Sequence, residues 1–145
     1  MADFVADGFE PPSPPAGAGF RLEPLGVRHN ERDYAAWTSS MEHIRQTPGF
    51  AGRSWPKSMS LAENGDDLER HAADFAQRKG FTYSVLDGDD VIGCVYVYPG
   101  ATPGSASVRS WVRADRAALD PVLYETVSGW LSDEWPFESV LYAPR

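Results

Sequence analysis

The stretch that decides the fold is FTYSVLDGDDVIGCVYVYPG, residues 81–100. Two runs rich in β-branched and aromatic residues, 81–86 and 91–98, flank the turn residues Asp87, Gly88 and Asp89. Such side chains suit a pleated, half-buried surface, and Asp-Gly between two of these runs is a strong short-range hairpin signal. An antiparallel hairpin is expected here.

Downstream, after a Pro/Gly loop, ASVRSWV (106–112) predicts the next strand of a meander. A helix follows within WVRADRAALDPVLYETVSGWL (111–131), with Asp120 placed as N-cap and Pro121 at the first helical position, a favoured pairing. Leu123, Val127, Trp130 and Leu131 form its apolar face, Trp135-Pro136 ends it, and ESVLY (138–142) predicts the last strand. Upstream, FRLEPLG (20–26) predicts a first strand, and Asn30 is placed to cap a helix with Glu31 and Asp33 in its first turn. Tyr34, Trp37, Met41 and Ile44 continue that helix until Pro48-Gly49. Ser60 and Glu63 have the spacing of a capping box. The helix they open has the stripe Leu61, Leu68, Ala72, Phe75 and Ala76, and ends around Arg78-Lys79-Gly80.

Residues 1–19 read as a Pro/Gly-rich arm, in which Phe4, Val5 and Phe9 are apolar enough to lie on the body. Residues 20–145 then form a single α+β domain, a length that suits one core. The formal charge of −8 and the lack of a dense Lys/Arg cluster argue against nucleic acid as a partner. The only cysteine, Cys94, leaves no internal disulfide and no zinc spacing, so no metal is expected. The N-terminus lacks the basic and apolar regions of a signal peptide, and no apolar run is long enough for a membrane span. A soluble cytoplasmic protein is the expectation.

A first strand, two helices, three antiparallel strands, then turn, helix and strand is an unusual order. It resembles the GCN5-related N-acetyltransferase (GNAT) superfamily. FTYSVLDGDDVIGCVYVYPG is similar to that family's second and third strands, and SVRSWVRADR (107–116) to its fourth strand and cofactor turn. The resemblance implies transfer of an acetyl group from acetyl-CoA to a small-molecule amine. It implies that the backbone of Ser110, Trp111 and Val112 faces the thioester. The pantetheine arm would lie in a wedge between SWV (110–112) and VLY (140–142), with the pyrophosphate on Arg113, Arg116, Ala117, Ala118, Leu119 and Asp120. Tyr34, Trp37, Tyr96 and Arg109 are candidates for the acceptor site, and Glu42 and Tyr142 for proton transfer.

Two departures from the family pattern stand out. Its pyrophosphate turn carries a glycine, whereas either register here places a side chain at that position: Leu119 if Arg116 is the anchor, Arg116 if Arg113 is. An Asp120 cap would also hold the N–H groups that a phosphate needs. In addition, only Ala143, Pro144 and Arg145 follow the last predicted strand, so the sheet is expected to end there. Its edge would then need cover from a homodimer or from the arm. Two functions remain open: an acyltransferase with impaired cofactor binding, or a catalytically silent protein of this fold that binds a small molecule or serves in an oligomer.

Overall fold

In the computed structural model, which describes residues 4–17 and 19–145, the expected hairpin forms as β3 (Phe81–Asp87) and β4 (Asp90–Pro99). The loop between them is Gly88 and Asp89, with Gly88 at φ +59°, a conformation open to glycine without steric penalty. β5 (Ser105–Val112) runs antiparallel to β4, from Gly93 opposite Val112 to Pro99 opposite Ala106. A methyl group on Gly93 would collide with the carbonyl oxygen of Trp111. The glycine of the VIG triplet is therefore what lets these two backbones approach.

β2 (Phe20–Pro24) pairs antiparallel with β3, and a short strand of the arm, β1 (Ala16–Gly17), pairs with β2. The arm thus adds a strand that the sequence reading lacked. β6 (Ser139–Tyr142) lies parallel to β5, so the sheet order follows the chain from β1 to β6. Helices α1 (Asn30–Thr38), α2 (Met41–Gln46) and α3 (Leu61–Ala76) cover one face, over Leu86, Cys94 and Trp111. Helix α4 (Asp120–Glu134) covers the other, its Leu123, Val127, Trp130 and Leu131 sharing a core with Tyr83, Val95 and Val97. The fold class is α+β, with helices on both faces of one mixed sheet.

Two expected caps are absent for the same reason. A 3-10 turn at Val27–His29 runs straight into α1, so Asn30 has helical angles (φ −54°, ψ −51°) and donates instead to the Leu61 carbonyl at 3.1 Å. Another at Ala114–Leu119 runs into α4, so Asp120 (φ −56°, ψ −48°) makes no cap. An N-cap needs extended backbone. Ser60 has it (φ −82°, ψ 164°), and there the capping box with Glu63 forms, at 2.8 and 3.1 Å. The first helical run is also two helices, broken at Ser39 and Ser40, and Leu61 is exposed rather than part of the α3 stripe.

The arm lies on the body. Val5 is buried, Phe4 stacks on Phe137 at 5.1 Å, and Phe9 meets Trp135 at 5.5 Å. Arg78, in the left-handed region at φ +59°, donates to the Phe9 carbonyl at 2.6 Å. This places the arm on the α4 side and at the β2 edge, not at β6. The outer edge of β6 keeps Val140 and Leu141 exposed, Leu141 by 75%.

Candidate functional site

Two concave features flank β5. The first is the wedge beside β6. Strand pairing ends at Val108 opposite Tyr142, while β5 continues to Val112. Among the described residues no strand lies beside Arg109 to Val112 on that side. The guanidinium of Arg145, whose side chain is 3% exposed, fills the opening. Its Nη2 donates to the Ser110 carbonyl at 2.7 Å, its Nη1 to the Ala143 carbonyl at 2.8 Å, and its Nε to Asp120 Oδ2 at 2.6 Å. Beside it, Ser110 Oγ and the Tyr142 hydroxyl share a hydrogen bond of 2.5 Å. Burial pushes the Tyr142 phenol up to about 12.

The adjoining turn is also closed upon itself. Arg113 forks onto Asp115 at 2.9 and 2.8 Å, and Arg116 pairs with Asp87 at 2.9 Å. The Ala114 N–H donates to Ser40 Oγ at 2.9 Å. Ala117 and Ala118 are exposed and Leu119 is half-buried. Asp120, expected to cap the helix, is held by Arg145 instead, and its Oδ1 is buried without a partner. An extended cofactor arm needs a free strand edge, and a phosphate needs free donors. Here Arg145 holds the Ser110 carbonyl on that edge, and Asp115, Asp87 and Ser40 hold the donors of Arg113, Arg116 and Ala114.

The second feature is a cavity of about 560 Å³ on the opposite face, between α1, α3, β4, β5 and the chain from Phe50 to Lys57. Phe50, Trp55 and Tyr96 give it aromatic walls. Arg109 rises from β5 over the rings of Phe50 and Tyr96, at 5.4 and 5.5 Å from their centroids. Among the described residues this guanidinium has no carboxylate or hydrogen-bond partner. Burial is the main cause that holds its pKa below the usual value, with Arg53 adding like-charge repulsion.

Asp33 enters the cavity from α1. It is 4% exposed and accepts one hydrogen bond from Asn64 Nδ2 at 3.0 Å. Burial raises its pKa from 3.8 to about 6, partly offset by the Asn64 bond. Asn64 is itself fixed by Asn30 Oδ1 at 2.8 Å and by the indole of Trp37 at 3.0 Å. Across the cavity the Tyr98 hydroxyl donates to Asp74 at 2.9 Å and lies 2.8 Å from His71 Nδ1. With its hydrogen committed to Asp74, that hydroxyl accepts from His71 Nδ1–H, which leaves Nε2 as an acceptor. Burial lowers the His71 pKa, so the ring is neutral at physiological pH.

Of the acceptor candidates, Tyr96 and Arg109 line this cavity together. Trp37 is buried against Asn64, and the Tyr34 hydroxyl donates to the Met59 carbonyl at 2.5 Å. Glu42 lies exposed on α2, accepting from Gln46 at 3.2 Å, and faces neither feature. Trp111 and Val112 are fully buried, and the Trp111 indole donates to the Tyr96 hydroxyl at 3.0 Å. Sequence reasoning missed Asp33, His71, Phe50, Trp55 and Arg145. One signal was available: Asp33 stands four positions before Trp37 and so shares its inward face. A Ser84–His29–Glu23 chain, at 3.0 and 3.5 Å, looks like a hydrolase relay, but Ser84 is 0% exposed and presents no nucleophile.

Among the described residues no group of His, Cys, Asp and Glu is arranged to hold a metal ion, and no helix is long and apolar enough to cross a membrane. No family model and no curated protein matches the chain. Solved structures do. The microcin C7 self-immunity acetyltransferase MccE, in complex with acetyl-CoA and AMP, superposes with a TM-score of 0.71 at 11% identity, over 87% of this chain and 69% of its own. RimJ of Mycobacterium smegmatis, in complex with CoA-disulfide, gives 0.68 at 15% identity, over 100% of this chain and 71% of its own. The ribosomal L7/L12 alpha-N-protein acetyltransferase RimL gives 0.65 at 8% identity, over 81% of this chain and 61% of its own. The chain thus spans less than two thirds of RimL. Sheet order, parallel last strand and these superpositions agree: the protein has the fold of the GNAT superfamily.

Proposed function

We propose that this chain is a small-molecule-binding protein built on an acetyltransferase fold, with its acyl-CoA groove closed by its own Arg145. The observation that carries this reading is the buried bridge from Arg145 to Asp120 and the Ser110 carbonyl. The open cavity beside Arg109 and Asp33 supports a ligand on the other face of β5. Acetyl-CoA titrated into the protein by calorimetry is expected to give no heat of specific binding at micromolar concentration. A dissociation constant in the low micromolar range sinks the reading.

A second reading has its own support. The neutral His71 lines the cavity with Nε2 free to take a proton, which suits an amine acceptor. Under this reading the protein is an acyltransferase whose groove is used when residues 143–145 swing out, and acetyl-CoA is the cofactor. Turnover of acetyl-CoA with an amine acceptor selects it.

A place in the cytoplasm is part of the proposal, and the free Cys94 is compatible with it. A homodimer through β6 is part of the proposal, because the described arm sits elsewhere and Leu141 is 75% exposed on an edge that is unpaired among the described residues. Light scattering is expected to return twice the chain mass, and Leu141→Lys to return the monomer. A monomeric wild-type protein ends the dimer proposal.

A further inference from the structure

Two charges face the same cavity without an answer from the protein. Arg109 is half-buried, stands on an aromatic platform, and among the described residues forms no ion pair. Asp33 is 4% exposed and among the described residues meets one neutral amide, Asn64, but no cation. Buried charges in proteins are ordinarily paired, because an unpaired one loses its hydration without replacement. Elsewhere the buried charge of Arg145 follows the rule, paired with Asp120. Arg109 and Asp33, of opposite sign, line one cavity, whose other charged lining residues are Lys57, Asp67, Arg70 and Asp74. Its volume of about 560 Å³ suits a small molecule, in the usual range for ligand sites.

We infer that the cavity binds an amino-acid-like zwitterion, with its carboxylate on Arg109, its ammonium toward Asp33, and an apolar side chain against Phe50 and Trp55. The inference deepens the proposed binding function and rests on that reading. A planar guanidinium over a ring keeps its N–H fork free for the two oxygens of a carboxylate. The carboxylate of Asp33, fixed by Asn64, accepts from an ammonium and regains the charge contact that its burial removed. Partial burial against the aromatic walls would make both pairs stronger than in open water.

The test uses L-phenylalanine, L-phenylalaninamide, which lacks the carboxylate, and 3-phenylpropanoate, which lacks the amine. Each is titrated into the wild-type protein at millimolar concentration by calorimetry, without CoA. L-Phenylalanine is expected to bind, and each truncated probe to bind at least about tenfold more weakly, as for the loss of one charged contact. Arg109→Met should bring L-phenylalanine down to the level of its amide while leaving the amide unchanged. Asp33→Asn should bring it down to the level of 3-phenylpropanoate. Equal binding of all three probes, or failure of all three to bind, overturns the inference. So does Arg109→Met that binds L-phenylalanine as the wild type does. The probe series on the wild-type protein needs no variant to fold. Binding of acetyl-CoA in its separate titration would remove the closed-groove reading and leave the zwitterion result standing.

Discussion

Arg145→Met is expected to destabilise the protein by about 3 kcal/mol, the usual scale for removing one partner of a buried ion pair. The side chain of Arg145 is 3% exposed and that of Asp120 is 17% exposed, so water does not replace the lost contact. Asp120 Oδ1 already lacks a partner, and the substitution would orphan Oδ2 as well. Adding Asp120→Asn removes the stranded charge, so the double variant should recover more than half of the loss. A coupling of this size between the two sites is the signature of direct interaction. Urea denaturation of the two single variants and the double variant measures it. A loss below about 1 kcal/mol for Arg145→Met would mean that the bridge is no stronger than a surface pair, and that the groove is not held shut by it.

Asp33→Asn is expected to stabilise the protein at neutral pH, by up to about 3 kcal/mol. The carboxyl titrates near 3.8 when solvated and near 6 in its buried place, and that gap converts at about 1.4 kcal/mol per pH unit. The sign follows from proton binding. The folded state holds the Asp33 proton more tightly than the unfolded chain does, so the wild type is favoured at low pH. That advantage is lost as pH rises from about 4 to about 6. Asparagine carries no charge to bury and still offers Asn64 an oxygen. The gain should therefore vanish below about pH 4 and level off above about pH 6. Thermal melts of both proteins across that range check it. A variant that is less stable than wild type at pH 7 would show that Asp33 is stabilised by its surroundings and has no need of a ligand cation.

How far the sequence carried is best judged element by element. The hairpin at 81–98 was legible because turn chemistry and alternation act within a few residues, and β5 and β6 were legible for the same reason. The Ser60 cap was legible because Ser60 itself is extended and no 3-10 turn runs into the helix it opens. The caps at Asn30 and Asp120 were misread because each is preceded by a 3-10 turn that no residue pattern announced. Tyr96 and Arg109 were found by their place on central strands. Asp33 was read as a first-turn acid for the helix dipole, since only α3 and Asn64, 31 residues away, show that it faces inward. Arg145 was passed over as one of the residues after the last strand. What decides its role is the end of pairing at Val108, a tertiary fact.

β6 is four residues long, is paired to one neighbour among the described residues, and carries the wedge-filling arginine just beyond it. The cavity on the far face is built from α1, α3, β4 and β5, and owes nothing to β6. The two sites on β5 are therefore expected to differ in local stability, with the β6 segment opening at the smaller free energy. Occupancy of the groove becomes a matter of populations: any ligand that requires it open binds with its intrinsic affinity reduced by the open fraction. Each 1.4 kcal/mol that holds the segment closed weakens such a ligand about tenfold. The cavity, with no β6 residue in its lining, does not depend on that opening.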